Sequence, residues 1–219
     1  MGSDLSPILY SLHNCPYAIR ARLALLKAKQ RVAIRSIKLS NKPSELLAAS
    51  PKGTVPVLII QQNSSVIDQS IKIMIWALIQ SDPDNLLQAE DGNALPAMIS
   101  FIQEFERIFI PALNAFGCAK RYHEDDTHKR RNTCQIELLK LEECLTQHAF
   151  LFSNTESLVD IALLPFIRKY ARIDKQYFRY APYPKLRAWL NRYLQSPLFS
   201  KVMKNYDLWQ ENQREQFLG

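Results

Sequence analysis

The sequence predicts an α/β domain at residues 1–81 followed by an all-helical domain at residues 93–219. In the first region short apolar runs alternate with helical runs, whereas almost everything after residue 93 has helical periodicity. The segment SDPDNLLQAEDGN between them combines a proline, a glycine and a cluster of acids, which is typical of a linker. With 219 residues, of which 47% are apolar, the chain is long enough to bury a sizeable core.

The first domain is predicted to have the element order β-α-β-α-β-β-α. Its helices carry apolar residues three and four positions apart, as at Ile19, Leu23 and Leu26, while its strands alternate or form short apolar runs. The predicted strands are PILYSL, RVAIRSIKL and the two ends of VPVLIIQQNSSVI, and the predicted helices are PYAIRARLALLKAKQ, KPSELLAAS and QSIKIMIWALIQ.

The second domain is predicted to be a helical bundle. Pro111 falls inside its first and longest helix, where a proline is expected to cause a kink. Asp160 follows Ser157 by three residues, which is the spacing of a capping box, so we interpret this acid as structural. The predicted helices are ALPAMISFIQEFERIFIPALNAF, THKRRNTCQIELLKLEECLTQHAF, SLVDIALLPFIRKYARI, PKLRAWLNRYLQS and PLFSKVMKNY.

Composition and charge argue against several classes of function. The formal net charge is +7, but the basic residues are spread along the chain without a nucleic-acid-binding motif, so no nucleic-acid partner is expected. No apolar run is long enough to span a membrane, and the first residues lack the pattern of an export signal, which predicts a cytoplasmic protein. His123 and His128 have no third ligand nearby in the sequence, so no metal site is predicted.

Cys15 is the first candidate for chemistry, because Pro16 fits the first position of a helix and places the cysteine at the helix N-terminus. An ordinary thiol has a pKa of about 8.5, and a helix N-terminus can lower it to roughly 3.5–7.5. Arg20 and Arg22 lie one to two turns further on and can add to this effect. An unreactive N-cap residue is the alternative, and the local pattern leaves both interpretations open.

The segment CPYA also restricts the type of thiol chemistry. Its fourth position is Ala18, so no neighbouring thiol is available to resolve a disulfide, and a monothiol cycle needs an external thiol as its partner. The four cysteines of the chain lie far apart and form no CxxC pair, which predicts reduced thiols.

Two further stretches suggest binding of a peptide-like anion. In SPKGTVPVL a cis bond before Pro56 would leave the backbone of Val55 free to pair with an extended ligand, whereas a trans proline at the first residue of a strand is the alternative. In VIDQSIKIM, Gln69 and Ser70 lie at a helix start, where a carboxylate can bind; plain helix capping by Ser70 is the alternative.

Together these stretches resemble the cytosolic glutathione transferases, specifically their cysteine-dependent, omega-like branch, over nearly the whole chain. The stretch ILYSLHNCPYAIRARLALLKA resembles the first strand and active-site helix of that branch, and IKLSNKPSELLAASPKGTVPVL its second strand, second helix and cis-proline loop. Three further features of the family have counterparts in this chain. Its pair of an acid or glutamine followed by serine is similar to DQS, its buried helix to SLVDIALLPFIRKYARI, and its final helices to APYPKLRAWLNRYLQSPLFSKVM. The resemblance implies a thioredoxin-like domain followed by an all-α domain.

The resemblance also implies roles for individual residues. Cys15 would form a mixed disulfide with glutathione, and Val55, the residue before Pro56, would pair through its backbone with the cysteinyl part of the tripeptide. Tyr17 would lie beside the tripeptide, and Lys42 would reach its glycyl carboxylate.

The γ-glutamyl end of glutathione would be held by Gln69 and Ser70, the serine through its hydroxyl and N–H on the carboxylate. The omega branch usually has glutamate where this chain has Gln69, and a neutral amide keeps a hydrogen bond but gives up an ion pair. Some classes of the family activate glutathione through a tyrosine or serine near the end of the first strand, where this chain has Tyr10 and Ser11.

The function implied is a glutathione-dependent thiol transferase or reductase, of the disulfide- or dehydroascorbate-reducing type. Glutathione would be its cosubstrate, a small disulfide or electrophile its second substrate, and a homodimer its assembly. Two alternatives remain at this point: a conjugating transferase, in which bound glutathione attacks an electrophile, and a non-catalytic binding or regulatory module on the same fold.

Overall fold

The first half of the chain forms a mixed four-stranded sheet with three helices, in a computed structural model that describes residues 5–219. The elements are β1 (Ile8–Ser11), α1 (Pro16–Lys27), β2 (Ala33–Ser36), α2 (Ser44–Ala49), β3 (Val57–Ile60), β4 (Ser65–Ile67) and α3 (Ser70–Gln80). The strand order is β2-β1-β3-β4, with β1 and β2 parallel and the other two pairs antiparallel. The predicted order β-α-β-α-β-β-α is confirmed.

Helix α1 is buried around its whole circumference. All eight residues from Ala18 to Leu25 are buried, and the helix packs against α3. Arg20 and Arg22 belong to this buried run, and a buried guanidinium must find hydrogen-bond partners inside the protein. The partners of these two arginines therefore shape the surroundings of the α1 N-terminus.

Most of the chain after residue 93 is helical, as predicted. The helices are α4 (Ala94–Tyr122), α5 (Thr127–Gln147), α6 (Leu158–Ile173), α7 (Lys175–Tyr180), α8 (Pro184–Leu194), α9 (Pro197–Val202) and α10 (Trp209–Asn212). The last predicted helix, PLFSKVMKNY, ends at Val202, and α7 and α10 were not predicted. Helix α4 continues through Pro111 and does not end there. Between residues 5 and 219, no helix is both long enough and apolar enough to cross a membrane.

The contacts divide the chain into two compact units. The first unit contains the described residues up to Asp84 together with Gln195–Gly219, and the second contains Asn85–Leu194. Residues 195–219, which were predicted to belong to the helical domain, thus pack within the first unit.

The C-terminal tail joins the first unit because it pairs with β2. Ile34 N donates to Gln216 O at 2.8 Å and Leu218 N donates to Val32 O at 3.0 Å. A further bridge joins Ser36 to Leu208. The tail thereby covers the free edge of β2, whose backbone groups would otherwise need other partners.

The start of α6 is built around one buried carboxylate, and the predicted capping box is confirmed. Asp160 Oδ2 accepts from Ser157 N at 3.0 Å and from Ser157 Oγ at 2.9 Å. Asp160 Oδ1 accepts from Leu151 N and from Trp189 Nε1, both at 3.0 Å. Burial raises the pKa of Asp160, although all four donors favour its ionised form. The carboxylate therefore ties α6 to α8 and to the segment before α6.

Aromatic side chains fill the core of the second unit. The rings of Phe105 and Phe109 stack with centroids 4.6 Å apart, and both side chains are buried. Tyr170 of α6 lies between α4 and α7, since its ring contacts Phe109, Phe116 and Phe178 at 5.6–6.2 Å. Phe105 and Phe109 are therefore core residues of the helical unit.

Candidate active site

Cys15 lies at the N-cap of α1, as the position of Pro16 predicts. Its backbone is extended (φ −71°, ψ 121°), and its carbonyl accepts the helix hydrogen bond from Ile19 N at 2.9 Å. The residue is half-buried. An anion at this position is stabilised by the free N–H groups and the dipole of the helix.

The backbone of Val55 lies next to the thiol. The Val55–Pro56 bond is cis, which answers the question that the sequence left open. Cys15 Sγ donates to Val55 O at 3.8 Å, across 40 residues of chain. The ladder between β1 and β3 extends only from Ile59 to Val57, so Val55 lies beyond its end. This backbone is thus placed where a peptide-like ligand can pair with it beside the sulfur.

Gln69 and Ser70 form the N-terminus of α3. Gln69 is the exposed N-cap residue, and its carbonyl accepts from Ile73 N at 3.0 Å. Ser70 is the first helical residue and only 6% exposed, with its Oγ accepting a hydrogen bond of 2.9 Å from Arg20 Nε. The hydroxyl of Ser70 can therefore still donate its own hydrogen to an anion at the helix start.

Lys42 reaches the loop that leads to Val55. Gly53 in this loop has a φ of +59°, and a Cβ added to it would lie 3.1 Å from Lys42 Nζ. A side chain at position 53 would thus be strained in its backbone and would also push the ammonium away. The positively charged end of Lys42 therefore lies beside the 50–56 loop.

An ion pair that sequence reasoning missed joins the 50–56 loop to the start of α3. Lys52 Nζ lies 2.8 Å from Asp68 Oδ2, and Ser50 Oγ donates to the same oxygen at 3.3 Å. The hydrogen bond from Lys52 is the main reason that the pKa of Asp68 is lowered. The stretch DQS indicated Gln69 and Ser70 as candidate binding residues. It gave no reason to pair Asp68 with Lys52, which is 16 positions away.

The two buried arginines of α1 point to different parts of the site. Arg22 Nη1 donates to Ser11 Oγ at 2.7 Å and to Leu12 O at 3.3 Å, and its Nη2 donates to His13 O at 2.7 Å. Arg22 thereby supports the segment just before Cys15. Arg20 instead reaches Ser70, and its guanidinium carbon also lies 5.2 Å from the centre of the Tyr17 ring.

The hydroxyl groups of Tyr10 and Ser11 are hydrogen-bonded to other residues of the protein. Tyr10 is completely buried, its hydroxyl accepts from Arg35 Nη1 at 2.9 Å, and burial raises its pKa. Ser11 is 1% exposed, and its Oγ is held by Arg22. This geometry favours Cys15 over both hydroxyls as the group that meets a ligand.

The other cysteines lie in the helical unit. All four cysteines of the chain are free, as predicted. Burial raises the pKa of Cys134 to about 12 and also raises that of Cys144, so both remain protonated at neutral pH. Cys118 is exposed on α4. In the described part of the chain, no group of three histidine, cysteine or acidic residues is arranged to hold a metal ion.

Trp209 of the C-terminal tail, which the sequence indicates only as a packing aromatic, supports the site. Trp209 packs into the core cluster that contains Tyr10, Val55 and Val57. The Arg35 guanidinium carbon also lies 3.7 Å from the centre of the Trp209 ring. The packing behind Val55 thus depends on a residue more than 150 positions further along the chain.

Comparisons with known proteins agree with this architecture. The model of the glutathione S-transferase N-terminal domain matches residues 9–85, and that of the C-terminal domain matches residues 103–197. Mouse glutathione S-transferase omega-1 is 29% identical over 195 residues, which is 88% of this chain and 78% of that protein.

Solved structures share the fold. A glutathione transferase family member from Pseudomonas fluorescens, crystallised with two glutathione bound, superposes with a TM-score of 0.79 at 18% identity, covering 93% of this chain and 94% of that one. Glutathione transferase Omega 3C from Trametes versicolor superposes with a TM-score of 0.78 at 17% identity, covering 93% and 91%. The thioredoxin-like domain with a helical second domain, implied by the sequence resemblance, is thereby confirmed.

Proposed function

Since this chain belongs to the glutathione transferase family and is a glutathione transferase, we propose that it is a thiol transferase in which Cys15 forms a mixed disulfide with glutathione. The observation that supports this most strongly is the 3.8 Å approach of Cys15 Sγ to Val55 O at the N-terminus of α1. A tripeptide paired with the Val55 backbone would present its cysteinyl sulfur directly to this thiol.

The remaining residues of the site match the rest of glutathione. The Ser70 hydroxyl and N–H at the start of α3 bind the γ-glutamyl carboxylate, and the Gln69 amide bonds the neighbouring amino group. Lys42 holds the glycyl carboxylate from above the 50–56 loop. Tyr17, half-buried on the first turn of α1, packs beside the tripeptide.

The proposed reaction is two successive thiol–disulfide exchanges. The Cys15 thiolate attacks the glutathione sulfur of a mixed disulfide; a bond forms between Cys15 and glutathione, and the substrate thiolate leaves and takes a proton. A second glutathione thiolate then attacks the glutathione sulfur on Cys15, releasing glutathione disulfide and the free Cys15 thiolate. Over one cycle, one free glutathione is consumed, the mixed disulfide is reduced to the substrate thiol, and one glutathione disulfide is formed.

The protein contributes position and charge to this cycle. Binding the tripeptide beside Cys15 turns a bimolecular attack into a local one. Cys134 and Cys144 are kept protonated by burial, and Ala18 occupies the position of a resolving cysteine, so the second thiol comes from solution. This need for free glutathione is consistent with a reducing compartment, and we propose the cytoplasm as the location.

Three measurements on the wild-type enzyme separate this proposal from its alternatives. They are the glutathione-dependent reduction of the mixed disulfide between glutathione and 2-mercaptoethanol, the conjugation of 1-chloro-2,4-dinitrobenzene, and the calorimetric binding of glutathione. We expect binding and disulfide reduction, with conjugation slower than reduction, because a cysteine at this position tends to bond to the ligand sulfur.

Each alternative gives its own pattern in these assays. Conjugation without disulfide reduction would indicate a conjugating transferase. Failure to bind glutathione would indicate a non-catalytic module, and either pattern would refute a thiol transferase based on Cys15.

A further inference from the structure

Arg20 is a buried cation in direct contact with the glutathione-site serine. The residue is 2% exposed, and its Nε donates to Ser70 Oγ at 2.9 Å. The two residues lie 50 positions apart, on α1 and α3, and both are buried in the same unit. Hydrogen bonds from a charged donor are stronger than neutral ones, so this contact fixes the Ser70 side chain.

The contact also determines what Ser70 can do. A serine hydroxyl has one hydrogen to donate and two lone pairs to accept with. The guanidinium has donors only, so Ser70 must act as the acceptor toward Arg20, and its own hydrogen is directed to a different acceptor. A ligand atom at the start of α3 is then met by a donor, and the nearby positive charge of Arg20 favours a carboxylate over a neutral group.

We propose that Arg20 is a positioning residue for recognition of the ligand's α-carboxylate, acting through the hydroxyl of Ser70. The inference rests on the proposed function, since it assigns the γ-glutamyl carboxylate of glutathione to Ser70. Arg20 itself stays behind Ser70, in the packed interior between α1 and α3. Its contribution is therefore to selectivity for the carboxylate, separate from the chemistry of Cys15.

Arg22 provides a matched control within the same helix. It is also 2% exposed, but its donors go to Ser11 Oγ, Leu12 O and His13 O. Replacing Arg22 removes an equally buried guanidinium from α1 without touching Ser70. Any general effect of losing a buried arginine on the fold of α1 should therefore appear in both variants, whereas a specific effect on the carboxylate should appear only at Arg20.

The test compares two ligands by calorimetry in the intact protein: glutathione, and 4-aminobutyryl-cysteinylglycine, which lacks only the α-carboxylate. Wild type is expected to bind glutathione more tightly, and Arg20→Met is expected to reduce this preference by about 10-fold. Arg22→Met is expected to keep the wild-type ratio of the two dissociation constants. In a Ser70→Ala background, Arg20→Met is expected to cause no further loss of preference.

Several outcomes would overturn the assignment of Arg20. If Arg20→Met weakens the binding of both ligands equally, Arg20 has a structural role only. If it weakens the binding of neither ligand, Arg20 has no role in binding. If Arg20→Met does not fold, Arg20→Lys is decisive: an ammonium cannot reproduce the Nε geometry, so a full wild-type preference in this variant would refute the proposal. If the wild-type protein binds neither ligand, the proposed function is refuted, and the role of Arg20 is refuted with it.

Discussion

Replacing Cys15 by alanine is expected to lower glutathione-dependent disulfide reduction by at least about 100-fold, to near the uncatalysed rate. Both exchange steps of the proposed cycle form or break a bond to this sulfur, so no part of the reaction survives its removal. Tyr10 and Ser11 cannot substitute, because Arg35 and Arg22 hold their hydroxyls inside the protein. The measurement is the steady-state rate of mixed-disulfide reduction at saturating glutathione.

Cys118→Ala is the matched control for this change, since Cys118 is an exposed thiol on α4. This variant is expected to keep the wild-type rate. The Cys15→Ala variant is expected to retain glutathione binding, because Val55, Lys42, Gln69 and Ser70 are unchanged. Substantial disulfide reduction by Cys15→Ala, or an equal loss in Cys118→Ala, would contradict the assignment of Cys15.

Replacing Asp160 by alanine is expected to lower the free energy of unfolding of the helical unit by about 3 kcal/mol or more. The change leaves Leu151 N and Trp189 Nε1 as buried donors without their acceptor, and it removes the capping box at Ser157. Each buried donor left unsatisfied costs roughly 1–3 kcal/mol, and loss of a cap costs about 1 kcal/mol. Urea denaturation gives the free energy, and hydrogen exchange of residues 157–173 localises the loss.

Two further variants serve as controls for Asp160→Ala. Asp160→Asn keeps an acceptor oxygen for Leu151 N and Trp189 Nε1, so its loss of stability is expected to be smaller than that of alanine. Asp125→Ala changes an exposed acid and is expected to alter the free energy by less than about 0.5 kcal/mol. If Asp160→Ala were no more destabilising than Asp125→Ala, Asp160 would not be the structural centre of this unit.

The elements of the first unit could be predicted because their signals are local. Alternating and helical patterns lie within windows of a few residues, and Pro16 alone places Cys15 at the start of α1. The spacing of Ser157 and Asp160 likewise predicted a capping box that the structure contains. Helix α7 was not predicted, because only Asp174 separates it from α6 and no proline or glycine marks the boundary. Helix α2 is equally short but was predicted, because it lies between Pro43 and Pro51.

The details that surround Cys15 could not be predicted, because they depend on tertiary packing. The sequence placed Arg20 and Arg22 near the helix start but gave no direction for either side chain. Because the residues from Ala18 to Leu25 are all buried, one guanidinium is directed to Ser70 and the other to the segment before Cys15. The contribution of Trp209 behind Val55 depends on the tail pairing with β2, which no local pattern indicates.

The most direct test of the central claim is intact mass spectrometry after exposure to glutathione disulfide near neutral pH, with Cys15→Ala treated in parallel. We expect one added glutathione in the wild-type protein, located at Cys15 by peptide mapping, removed by reductant and absent from the variant. No adduct at Cys15, or equal modification of exposed Cys118, would contradict a glutathione site built around the N-terminus of α1.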